Sequence, residues 1–275
     1  MLKDIIVNLG LNDRDPAGDF AISVAAACEA HVLGAVCAYE PVLPGSVMGG
    51  IPPEFIEAQR RESDKLASAA LARFEAAAKR NGVSHATHTL RASIGESANL
   101  LGRLARRFDL AVCTQQNPND TVPTELIAEA LLFESGRPLI MVPYIQKQPL
   151  KLDRVMVCWD GGRAATRAIA DSMPLLKKAG QVDIVMVASR REDNKEIPGI
   201  DLGQHLARHG LKVDVKRLTS PDIDINSTLL SYAADSNADL IVMGGYGHSR
   251  LREFVLGGVT RAILSSMTVP VLMSH

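Results

Sequence analysis

The stretch DLIVMGGYGHSRLREFVLGGVTRAILSSM, residues 239–267, joins a short apolar run to a helical-period segment through five glycines, all between positions 244 and 258. Glycine loses more backbone freedom on folding than any other residue. A cluster therefore implies unusual dihedrals or a group lying close against the backbone. DLIVM has the length and composition of a buried strand. The glycines thus fall at a strand's carboxyl end, the edge where doubly wound sheets bind ligands. After Gly257 and Gly258 comes VTRAILSSM, a helical stretch whose first-turn N–H groups have no intrahelical acceptors and carry the positive end of the helix dipole. A phosphate suits that position.

Working outward, the same plan occurs twice. KDIIVNLG (3–10) and DRVMVCWDGG (153–162) are apolar runs that end in a turn and lead into AGDFAISVAAACEA and RAATRAIADSMPLL. FDLAVCT followed by ESGRPLIMVP matches ADLIVMGG followed by SMTVPVLMS. The spacing predicts two repeats, 1–147 and 151–275, joined by QKQPLK. Strands are expected near 3–9, 33–39, 84–90, 109–114 and 138–142, then 154–159, 182–188, 212–218, 239–243 and 269–273. Helical segments fill the gaps, which makes an α/β chain of two tandem, doubly wound, parallel five-stranded domains. The long segment 54–80 is a helix closed by Asn81-Gly82, and its counterpart near 200–209 is short. The Pro- and Gly-rich loop 41–53 reads as a lid or a surface excursion. The final strands, RPLIMV and VPVLMS, belong at sheet edges that must be covered or paired.

Bulk numbers narrow the function. With 47% apolar and 22% charged residues and a net charge of -1, the chain is an ordinary globular sequence without a basic field for nucleic acid. RLARRF and SRREDNKE read as solvated faces. Cys28, Cys37, Cys113 and Cys158 form no CxxC pair and show no zinc spacing. The amino terminus has no signal-peptide core, and no run approaches the ~18 apolar residues of a membrane span. A cytoplasmic protein with neither nucleic-acid nor membrane partners is the expectation.

Catalytic signatures are missing from the sequence. His205 and His209 stand one helical turn apart without a third ligand, and His85 and His88 point to opposite faces of a strand. Asp222 and Asp224 lie at a helix start. No GxSxG, P-loop lysine or GxGxxG is present, so efficient hydrolysis is not expected.

The remaining pattern is G-x2-G-x9-G, formed by Gly244, Gly247 and Gly257. With the flanking VMGGYGHSRLREFVLGGVTRAILSSMTVPVLM, it resembles the universal stress proteins, specifically their tandem two-domain members. The resemblance spans both repeats and is most specific in the second. It implies a Rossmann-like fold of the adenine nucleotide alpha hydrolase kind and a stress-response role. It also implies an adenine nucleotide, ATP or AMP, with Mg²⁺ as a companion of the triphosphate. By resemblance, Gly244, Gly247, Gly257 and the Val259 backbone fall on the phosphate loop, Asp160 on the ribose aspartate and Val187 on the adenine edge. The expected set is completed by Gly161, Met243, His248, Arg250, Gly258 and Thr260. Gly258 stands where the ATP-binding pattern has Ser or Thr, and Thr260 is the nearest substitute hydroxyl. No catalytic or metal-ligating residue is implied. Paired final strands imply intrachain pairing of the repeats, and a homodimer is a further option.

The first repeat departs from this pattern. CTQQNPNDTVPTELIAEALLFESGRPLIMV has no glycine before Gly136, and Gly10 occupies the ribose position. One competent site per chain, in the carboxyl half, is expected. Two other readings fit the same residues: an interaction module that binds no nucleotide, and a slow enzyme acting on a nucleotide-linked substrate.

Overall fold

The computed structural model of the chain describes residues 1–40, 52–117, 124–188, 199–219, 224–245 and 258–275. The loop at 41–51 and the charged run 189–196 therefore lie outside the described residues. The chain divides into two compact units, Met1–Arg137 and Pro138–His275.

The first unit alternates β1 (Asp4–Leu9), α1 (Pro16–Cys28), β2 (His31–Tyr39), α2 (Pro53–Arg80), β3 (His85–Ala92), α3 (Ile94–Ala105), β4 (Leu110–Thr114) and α4 (Thr124–Glu134). Its strands are parallel in the order β3-β2-β1-β4, with Ile5 opposite Val32 on one side and Leu110 on the other. From Ile5 to Leu9 central β1 is apolar except for Asn8, because helices cover both faces. As its sequence predicts, α2 closes at Asn81.

The second unit opens with β5 (Leu139–Val142) and continues through β6 (Arg154–Cys158), α5 (Arg163–Leu176), β7 (Gln181–Ala188), α6 (Ile200–Arg208), β8 (Val213–Thr219), α7 (Ile225–Asp235), β9 (Leu240–Gly244), α8 (Gly258–Ser266) and β10 (Val271–Ser274). Five strands run parallel in the order β8-β7-β6-β9-β10. The order repeats that of the first unit, and Val155 lies opposite Val182 and Leu240 as Ile5 lies opposite Val32 and Leu110. All ten predicted strands are present, so the α/β class and its largely parallel strands hold.

One strand belongs elsewhere than its repeat suggests. β5 pairs antiparallel with β10, Ile140 opposite Leu272 and Met141 opposite Val271. All six paired side chains are buried, so the edge that β10 would expose is covered by chain from the first repeat. The compact division consequently falls before β5, at Arg137, while the sequence repeat runs on to 147.

One charged group lies inside the second unit. Asp183 on β7 is fully buried; its carboxylate accepts hydrogen bonds from the Arg154 guanidinium at 2.7 Å and the Tyr232 hydroxyl at 3.0 Å. Removing either partner leaves a buried carboxylate underpaired, so the cluster pins α7 to β6 and β7. Burial, with Asp183 second, pushes the Tyr232 phenol up to about 12.

Among the described residues, no helix is long and apolar enough to cross a membrane. His205 and His209 stack edge to face with ring centroids 4.8 Å apart, and no third His, Cys, Asp or Glu joins them among the described residues.

Candidate functional site

In the second unit the strand order reverses between β6 and β9. β6 continues through α5 to β7 on one side, while β9 lies on its other side. The carboxyl ends of these strands frame the crevice in which such sheets bind ligands.

Asp160 stands two residues beyond β6, on the exposed rim. One carboxylate oxygen accepts a bond from the Gly162 N–H at 2.7 Å. The intervening Gly161 has φ +74°, a left-handed conformation that a side chain disfavours, and this turn folds the carboxylate back over the start of α5. Among the described residues no hydrogen bond reaches the second oxygen, which leaves it to a hydroxyl donor. α5 itself begins at Gly162 without a side-chain cap. Cys158 ends β6 two residues before Asp160; burial, assisted by that carboxylate, raises its thiol to about 12, which disfavours the thiolate.

Val187 lies near the end of β7 and is only partly buried. Cys158 pairs with Val185 and Val187 follows two residues later. Because side chains alternate along strands, Cys158, Val185 and Val187 share the face that α7 covers through Tyr232 and Asp183, and Asp160 follows in the turn beyond Cys158.

Met243 and Gly244 end β9. Met243 is buried within the sheet, so its side chain belongs to the core. A Cβ at Gly244 would lie 2.5 Å from the Ala165 nitrogen and 2.7 Å from the Ala164 carbonyl carbon. Close passage of α5 therefore dictates glycine here, whatever else approaches the backbone. Gly258 and Val259 open α8, and Thr260 follows in its first turn. Thr260 is only 4% exposed. Gly247, His248, Arg250 and Gly257 lie outside the described residues.

Matching strand registers place Gly10, Cys37 and Thr114 of the first unit where the second has Asp160, Val187 and Gly244. The rim there closes on itself. Asp15 caps α1, accepting from the Ala17 and Gly18 N–H groups, both at 3.2 Å, and reaching back to the Gly10 N–H at 3.1 Å. The Thr114 hydroxyl adds a fourth contact at 3.4 Å. Desolvation outweighs these bonds and raises the Asp15 carboxyl to about 6. Its cap is thus held in a poorly hydrated place.

These features accompany a clear likeness. Residues 151–275 match the model of the universal stress protein family. This likeness is carried by the carboxyl-terminal repeat. A universal stress protein of Synechocystis sp. is 26% identical over 148 residues, covering 52% of this chain; the match spans about half (49%) of that relative's length. Among solved structures, a universal stress protein from Archaeoglobus fulgidus DSM 4304 superposes with a TM-score of 0.72 at 15% identity, covering 98% of this chain and 97% of that one. A functionally unknown protein from Pseudomonas aeruginosa PAO1 follows with a TM-score of 0.61 at 14% identity, covering 98% and 92%. At such identity the two structures establish the fold, universal-stress-protein-like across both halves, and nothing finer.

Within this universal stress protein fold, Asp160, Val187, Gly244 and the start of α8 come from separate stretches of sequence yet all stand at the carboxyl edge of one sheet. Two residues escaped the sequence reading. Asp15-Pro16 is a helix-start signature whose wider reach to Gly10 and Thr114 depends on loop path. Asn226, buried at the start of α7, looks unremarkable in sequence because only its surroundings deprive it of partners.

Proposed function

We propose that the second unit binds an adenine nucleotide, ATP or AMP, at the carboxyl edge of β6, β7 and β9, and that the protein acts as a stress-response sensor or regulator rather than as an efficient catalyst. The observation that carries the reading is the Asp160 carboxylate, held on the exposed rim by the Gly162 N–H at the same carboxyl edge where β9 ends in Gly244. A phosphate oxygen at the start of α8 would meet its first-turn backbone donors. Thr260 would supply the hydroxyl that Gly258 lacks. Asp160, steadied through one oxygen, would offer the other to a ribose hydroxyl.

Intrachain pairing through β5 and β10 leaves the nucleotide edge of the second unit to work within one chain, and Mg²⁺ would enter only with a triphosphate. Four free cysteines suit a reducing cytoplasm.

Trp159, the only tryptophan, adjoins Asp160 and reports occupancy directly. Titrating ATP or AMP into the protein should change its fluorescence saturably at micromolar concentrations, equivalent to about 8 kcal/mol of binding. Asp160→Ala should weaken that binding at least tenfold. No saturable change, confirmed by absence of heat in calorimetry, or an unaltered affinity in Asp160→Ala, contradicts the proposal.

A further inference from the structure

Helix α6 is short, but its frame is fixed. Leu206 is fully buried, and a Cβ at Gly203 would stand 3.1 Å from the Val215 side chain, so the helix lies directly on the sheet. The His209 N–H closes the last turn by donating to the Leu206 carbonyl at 3.0 Å. Gly210 then reverses the chain with φ +85°, and its N–H donates to the Ala207 carbonyl at 2.9 Å. His205 and His209 belong to this anchored turn, and both are exposed, so a solute reaches them freely. Four residues apart on a helix, their side chains are neighbours on one face.

Their separation fits a shared ion. Two imidazoles that bind one cation at ~2.1 Å, with about 90–110° between the bonds, hold their ring centres roughly 4.5–5.2 Å apart. The His205 and His209 ring centroids are 4.8 Å apart, with the ring planes at 73°. The chelating distance is thus present before any ion arrives. The end of α6 also favours positive charge, because its last carbonyls carry the negative end of the helix dipole. Arg208 and Lys212 stand close by in sequence, but both are exposed, and solvent and salt screen their charge.

We propose that His205 and His209 form a two-nitrogen chelate for a borderline divalent transition-metal cation such as Zn²⁺, with water in the remaining positions. Imidazole nitrogen suits such ions, whereas Mg²⁺ and Ca²⁺ take oxygen ligands. Among the described residues no third His, Cys, Asp or Glu joins the pair, so the coordination stays open and the ion exchangeable, unlike a closed four-ligand structural zinc. The site is separate from the nucleotide edge and does not depend on that reading.

The test is calorimetric titration of Zn²⁺ alone into the full chain, compared with His205→Gln, His209→Gln and the double variant Gln204→His with His209→Gln. The double variant keeps the number of histidines but sets them on adjacent helix positions, which do not face each other. The wild type should take up about one ion per chain, and each variant should lose at least tenfold in affinity, because a single imidazole does not replace a chelate. In urea without metal all four proteins should unfold alike, and Zn²⁺ should raise the midpoint of the wild type most. A second measurement needs no variant: Cu²⁺ bound to the wild type should show two coordinated nitrogens by electron paramagnetic resonance. No Zn²⁺ binding by the wild type, an affinity kept by the double variant, one nitrogen on Cu²⁺, or a loss that follows Asp160→Ala instead of the histidine variants would overturn the proposal.

Discussion

The carboxyl edges of the two units are built on the same strand order and register, yet they end oppositely. In the first, Thr114 ends β4 and bonds to Asp15, whose carboxylate also takes the donors of Gly10, Ala17 and Gly18. In the second, Gly244 lets α5 ride directly on β9, α5 has no side-chain cap, and Asp160 has turned to the rim. A single repeated scaffold can thus be sealed by its own carboxylate or carry that charge on an exposed rim. The difference rests on residues at strand ends rather than on the core.

The largest way to break the comparison is to exchange the residues ending β4 and β9. Gly244→Thr forces a side chain into the backbone of α5 and should lower the unfolding free energy by about 3 kcal/mol in urea titrations. Thr114→Gly, where the chain already leaves space, should cost only about 1 kcal/mol. Similar losses would mean that the two edges are packed alike.

A smaller effect concerns Asp15. Its carboxyl is raised from the ordinary 3.8 to about 6, so between those values the folded state holds more proton than the unfolded one. The resulting stability is fully present below about pH 3.8 and lost as pH rises through about 6. Asp15→Asn preserves a capping side chain and should remove this decline, flattening stability against pH between about 4 and 7. Parallel profiles for the two proteins would show that Asp15 does not titrate there.

Much of this architecture was legible in the sequence. Apolar runs such as DIIVNL, RVMVC and LIVMG locate central strands because a parallel sheet covered on both faces tolerates few polar residues. Asn81-Gly82 locates the end of α2. In the second unit Asp160 and Gly244 stand at the strand ends where the sequence puts them, while Gly247 and Gly257 lie outside the described residues. What sequence could not supply were contacts between distant stretches: β5 joining β10 in the second unit, and α5 closing on Gly244. The glycine was read as room for a ligand, and three-dimensional packing gives a reason of its own. Asn226 was invisible for a related cause, since an amide is unsatisfied only by virtue of what surrounds it.

The contrast between a self-sealed edge and an open one predicts a stoichiometry. Calorimetric titration of ATP should find about one site per chain, unchanged by Asp15→Asn in the first unit and removed or weakened at least tenfold by Asp160→Ala in the second. Two sites, no site, or a single site that responds to Asp15→Asn instead of Asp160→Ala would contradict the account.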